Sequence, residues 1–123
     1  MSDTFNKQER LCSKKQIELL FSKGKNKLIH PIKLVWLETP VNLQYPAQAM
    51  FVVPKRQFKH AHDRNKLKRR MREAYRLNKK HLYDDLNNSG KKIILAFIYI
   101  DKISQEFTVI EKSLNKLFEN FKK

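Results

Sequence analysis

Apolar and polar positions along this chain predict six elements, some by their period and some by residue type and flanking breakers. Residues 1–12 are polar and expected to be extended. Ser13-Lys14-Lys15-Gln16 then reads as a capping box, with Ser13 as the cap and Gln16 reaching back. Ile17, Leu20 and Phe21 follow at helical spacing and Gly24 supplies a left-handed stop, which predicts a first helix over 13–23. Residues 32–38 are rich in strand formers, with Pro31 at the entrance and Pro40 past the end. Residues 47–53 make a second strand closed by Pro54, and the connection 39–46, with two prolines, suits a hairpin-type loop. Leu67, Met71, Ala74 and Tyr75 line one side of a long helix. Asn87-Asn88-Ser89-Gly90 reads as a loop, and 93–100 is apolar without alternation, as in a strand covered on both faces. Phe107, Ile110, Leu114, Leu117, Phe118 and Phe121 form one stripe on a closing amphipathic helix. The economical fold is α+β, a single-domain α/β sandwich over 1–123 in the order α-β-β-α-β-α, with room for an extra short strand in the 28–53 region.

Composition supports a folded chain. At 123 residues with 41% apolar positions and 13 aromatics, it has enough material for one core. No apolar run approaches the roughly 20 residues needed to span a bilayer. Residues 1–7 lack the apolar segment of a signal peptide, and the single Cys12 forms no internal disulfide, so a reducing cytoplasm is expected.

Charge changes the picture most. Residues 55–81 hold twelve Lys or Arg and two acids, a net of +10 in a chain of net charge +15. Six of these cations fall within 64–72. On a helix, Asn65, Lys68, Arg69, Arg72 and Arg76 fan across the side opposite Leu67, with Lys66 at the far edge and Arg64 and Arg70 near the borders. Like charges at i, i+4 destabilise an isolated helix by a few tenths of a kcal/mol per pair, which a polyanionic partner relieves. Arginine-rich composition favours phosphate, through bidentate contacts and stacking. Asn65, with both donor and acceptor, either reads a base or sugar edge or caps a turn.

Arg64-Asn65-Lys66-Leu67-Lys68-Arg69, continuing to Arg72-Glu73, resembles the Arg-Asn-Arg signature of the bacterial ribonuclease P protein subunit. The lead-in from Val53-Pro54-Lys55-Arg56 to Asp63 resembles the same family, as do Thr4-Phe5-Asn6-Lys7-Gln8-Glu9-Arg10-Leu11 and Leu20-Phe21-Ser22-Lys23-Gly24. Lys66 departs from the usual Arg; it keeps the charge and loses the planar fork. The resemblance implies a small partner of an RNA enzyme whose RNA subunit performs Mg²⁺-dependent removal of the 5′ leader of precursor tRNA. Arg64, Asn65, Lys66, Lys68, Arg69 and Arg72 would then face the ribonuclease P RNA. A cleft between the first helix and the sheet, with Phe21, Lys55 and Arg56 and further Phe5, Lys33 and Val35, would take the leader. It also implies Mg²⁺ bound mainly by RNA, no catalytic residue on the protein, and a left-handed crossover between parallel strands. That hand opposes the general right-handed rule. A monomer is expected for the free protein, whose oligomeric state the sequence does not fix.

Other chemistries find little support in the residues. Asp84-Asp85 is the one adjacent acidic pair, placed beside a polar turn, and His60 and His62 lack further zinc ligands. With Gly24 and Gly90 the only glycines, no Gly-rich phosphate loop exists. Trp36, Phe51, Phe97, Phe107, Phe118 and Phe121 are core candidates, Tyr75 and Tyr83 packing residues, and Phe21 either packs or stacks on a base. The rival readings are a ribosomal or RNA-chaperone protein binding structured RNA by shape, and a protein nuclease acting through Asp84, Asp85, His60 or His62.

Overall fold

The computed structural model describes residues 5–119. In chain order these form α1 (Lys14–Lys23), β1 (Lys25–Ile29), β2 (Ile32–Glu38), β3 (Ala47–Val52), α2 (Ala61–Ser89), β4 (Ile93–Tyr99) and α3 (Phe107–Glu119). The expected order holds, with β1 added. Its sequence, Lys-Asn-Lys-Leu-Ile, carries little strand signal of its own; it is extended because all five residues pair antiparallel with β2. Its lysines suit an edge strand that must not recruit another chain. Thr4 and Phe121 lie outside the described residues.

The sheet runs β1-β2-β4-β3, with β3 and β4 parallel and the other pairs antiparallel. The 39–46 connection is therefore no hairpin, because β4 lies between β2 and β3. The physical reason is the composition of β4: six of its seven residues are buried, and only a central strand hides both faces. The actual hairpin joins β1 to β2 through a cis peptide at His30-Pro31. The adjacent parallel strands β3 and β4 are joined through α2.

Three further expectations are corrected. Gly24 is extended, φ −68° and ψ 153°, and is no left-handed stop. A Cβ there would press on the Leu20 carbonyl and lie 2.9 Å from Val35 Cγ1, so close approach of α1 to β2 explains the glycine. Asn87, Asn88 and Ser89 belong to α2, which runs on while Leu86 still anchors it; Gly90, at φ 71°, makes the turn out. Ser13 caps α1 by accepting from the Gln16 N–H at 3.3 Å, whereas the Gln16 carboxamide oxygen accepts from Thr39 instead of reaching back.

The sheet has two covered faces. Toward α2 and α3, Leu34, Phe97 and Phe51 meet Tyr75 and Phe118 in one aromatic core. Toward α1, a smaller cluster of Leu11, Leu20, Val35, Ile94 and Ala96 packs. Residues 5–11, expected to be merely extended, make a 3-10 turn over Lys7–Glu9 and then add to the β3 edge, where Leu11 N–H donates to the Ala49 carbonyl at 2.9 Å.

Candidate nucleic-acid interface

Helix α2 is amphipathic with opposed purposes on its two sides. Leu67, Met71, Ala74 and Tyr75 have no measurable exposure and seat the helix on the sheet. Asn65, Lys66, Arg69 and Arg72 are exposed on the other side, and Lys68 is half-buried. These side chains thus share one cationic surface on a rigid element whose orientation the core sets.

The border residues behave differently. Arg64 Nη1 donates to the carbonyls of Phe58 and Lys59, each at 2.8 Å. Arg70 Nη1 donates to Ser104 Oγ at 3.2 Å and to the Gln105 carbonyl at 2.5 Å, tying α2 to the loop before α3. Arg76 forms an ion pair with Glu73, whose carboxyl is held below its ordinary range chiefly by that hydrogen bond.

One cation in the basic block is not on the surface at all. Lys79 is 3% exposed and pairs with Glu9, itself 1% exposed, from the segment ahead of α1. Tyr83 Oη also donates to Glu9 Oε2 at 2.5 Å, and Tyr75 Oη donates to Tyr83 Oη at 3.3 Å. Burial raises both phenol pKa values well above the ordinary range. Sequence reasoning missed this group, although a signal existed: Lys79 continues the i, i+4 row of Leu67, Met71 and Tyr75.

Around α1, the helix covers only part of its sheet face. The cross-strand row Leu28, Lys33, Ile98 and Val52 lies on that face and stays partly open, with Leu28 57% exposed. Phe21 stands on α1 beside buried Leu20 and is 48% exposed. Lys55 and Arg56 are exposed in the turn that follows β3. Lys33 therefore shares the α1 side of the sheet, with Lys55 and Arg56 following from the Val52 end of the row. Val35 does lie between α1 and the sheet, but it is buried there, whereas Phe5 packs edge-on against Phe51 and Tyr75 on the α2 side.

His60 and His62 are exposed at the start of α2, and Asp84 and Asp85 are helical residues of that same element. Among the described residues no group of three or more His, Cys, Asp or Glu side chains is placed to hold a metal ion. None of the described helices is long and apolar enough to cross a membrane.

The profile of the family described as Ribonuclease P matches residues 5–122. The chain belongs to the ribonuclease P protein family. The ribonuclease P protein component of Porphyromonas gingivalis is 33% identical over 112 residues, covering 90% of this chain and 81% of that protein. That of Thermotoga maritima is 34% identical over 123 residues, covering 95% and 96%. Among solved structures, the RNase P protein of T. maritima superposes with a TM-score of 0.69 at 23% identity, covering 91% of this chain and 96% of its own. The Staphylococcus aureus RNase P protein gives 0.70 at 20% identity, covering 93% and 95%. Membership gives this chain a role as a protein component of ribonuclease P, an endoribonuclease complex of tRNA processing.

Proposed function

We propose that this protein binds the RNA subunit of ribonuclease P through α2 and the 5′ leader of precursor tRNA through the cleft beside α1, and so assists leader removal. The observation that carries this is the partition of α2, with Asn65, Lys66, Arg69 and Arg72 exposed opposite a fully buried Leu67 and Met71. Lys68 flanks that surface. Guanidinium and ammonium groups on one rigid face release counterions from structured RNA, a sequence-independent source of affinity. In the cleft, Lys33, Lys55 and Arg56 supply charge for a single strand, and Phe21 supplies a ring for a base to stack on.

In this reading hydrolysis belongs to the RNA subunit and its Mg²⁺. Mg²⁺ is assigned to RNA oxygens, because phosphates supply the hard anionic ligands that this cation favours. The protein's share is to hold RNA and leader in fixed relation, acting in the cytoplasm as a monomer before assembly.

Reconstitution at low Mg²⁺ with a bacterial ribonuclease P RNA and a precursor tRNA tests the proposal. Pure protein is expected to stimulate leader removal strongly; no stimulation overturns it. Sequencing the RNA that copurifies separates the rivals, since ribosomal RNA in place of one abundant catalytic RNA favours a ribosomal or chaperone role. Cleavage by RNA-free protein, lost on mutating Asp84, Asp85, His60 or His62, would instead mark a protein nuclease.

A further inference from the structure

Arg64 opens the basic motif, yet its guanidinium is directed away from the open cationic surface. The half-buried side chain reaches back over the start of α2, and Nη1 bonds two successive carbonyls, Phe58 and Lys59, at 2.8 Å each. Those carbonyls end the passage from β3 into α2. Within it, the Gln57 N–H donates to the Pro54 carbonyl at 3.2 Å, which closes the turn that displays Lys55 and Arg56. Gln57 Nε2 donates to the Ile100 carbonyl at 3.0 Å, and the Phe58 ring lies 5.9 Å from that of Tyr99. The far side of the turn is therefore held by the end of β4, and the near side by Arg64.

We propose that Arg64 is a positioning residue: it fixes the turn carrying Lys55 and Arg56 against α2, and so sets the spacing between the RNA-binding helix and the leader cleft. A charge-assisted hydrogen bond to each of two carbonyls orders both peptide units, which a phosphate contact from the same atom could not do. Arg64 therefore acts on the leader through Lys55 and Arg56, whereas Arg69, exposed on the same helix, acts on the RNA subunit directly. The leader half of this assignment rests on the proposed function above; the ordering of the turn does not.

Two measurements test it. The first is amide hydrogen exchange across 55–59 in the free protein. Arg64→Ala is expected to speed exchange at Gln57 and Phe58 by roughly tenfold or more, as local opening becomes easier, while Arg69→Ala leaves it unchanged. Unchanged exchange in Arg64→Ala overturns the positioning role. The second is the preference of the reconstituted enzyme for precursor over mature tRNA, together with the salt dependence of binding to the RNA subunit. Arg64→Ala is expected to lower the leader preference by roughly fivefold while keeping the salt slope, and to add nothing further in a Lys55→Ala, Arg56→Ala background. A flattened slope with full leader preference makes Arg64 a phosphate contact and overturns the proposal. If Lys55→Ala with Arg56→Ala leaves the leader preference intact while exchange in Arg64→Ala is fast, the cleft assignment fails and the positioning role stands.

Discussion

Lys79 and Arg69 are carried by the same helix and count equally toward the net charge of +15, but they do opposite work. Arg69 is exposed, on a face with little acid to neutralise it. Lys79 is buried against Glu9, with the Tyr83 hydroxyl on the same carboxylate, and so locks the segment ahead of α1 onto α2. Position on the helix decides which role a cation takes. On the row shared with Leu67 and Met71 it must find an acid or forfeit its hydration. On the opposite side it stays hydrated and available to an external anion.

Removing the buried acid should break this contrast most severely. Glu9→Ala leaves the Lys79 ammonium inside without its carboxylate and is expected to lower unfolding free energy by about 3–5 kcal/mol, read by urea denaturation. Changing Lys79→Met in the same chain should restore most of the loss. A loss under about 1 kcal/mol would mean that Lys79 swings out to water and belongs with the surface cations after all.

Alkaline pH probes the same buried group. Burial raises the Tyr75 and Tyr83 phenols, so above the ordinary phenol pKa of about 10 the unfolded chain releases protons that the folded chain keeps. Their contribution is complete below that pH and is lost as pH rises beyond it. Urea midpoints from pH 8 to 11 should fall in the upper part of that range, and Tyr75→Phe should remove part of the slope, up to about 1.4 kcal/mol per pH unit. A slope identical in Tyr75→Phe would show that Tyr75 ionises freely in the fold.

The surface half of the comparison predicts the smallest change in stability and a clear one in binding. Arg69→Ala should alter unfolding free energy by less than about 0.5 kcal/mol. If about six phosphates are neutralised, the log–log salt slope of RNA binding is on the order of −4 to −5, and Arg69→Ala flattens it by under one unit. A slope that survives Lys68→Ala, Arg69→Ala and Arg72→Ala together would remove α2 as the contact surface.

The helix α2, its buried seam and the two-sided burial of β4 were legible in the sequence because each depends on a short-range period. Leu67, Met71, Ala74 and Tyr75 recur as a helix face requires, and the apolar run at 93–100 had nowhere to go but the sheet centre. Edges and ends were less legible. Strand β1 lacks a signal because its pairing with β2 makes it, and Asn87 to Ser89 look like loop residues although Leu86 keeps them helical. In the candidate site, the exposed set Asn65, Lys66, Arg69 and Arg72 followed from the helical wheel. The inward turns of Val35 and Phe5 did not, since they depend on which sheet face each element covers.

By itself, then, the sequence determined the secondary structure of the strongly periodic segments, the concentration of charge on one helix, and the family to which these motifs belong. Tertiary structure alone decided the strand order, the engagement of Arg64 and Arg70 with backbone, and the burial of Lys79 with Glu9. The physical reason is range. Periodicity is set among neighbours a few positions apart, whereas desolvation and hydrogen bonding join groups as distant as Glu9 and Lys79, 70 positions apart along the chain. Only the folded chain establishes which cations are already committed to its own acids and carbonyls, and which stay exposed to an external anion.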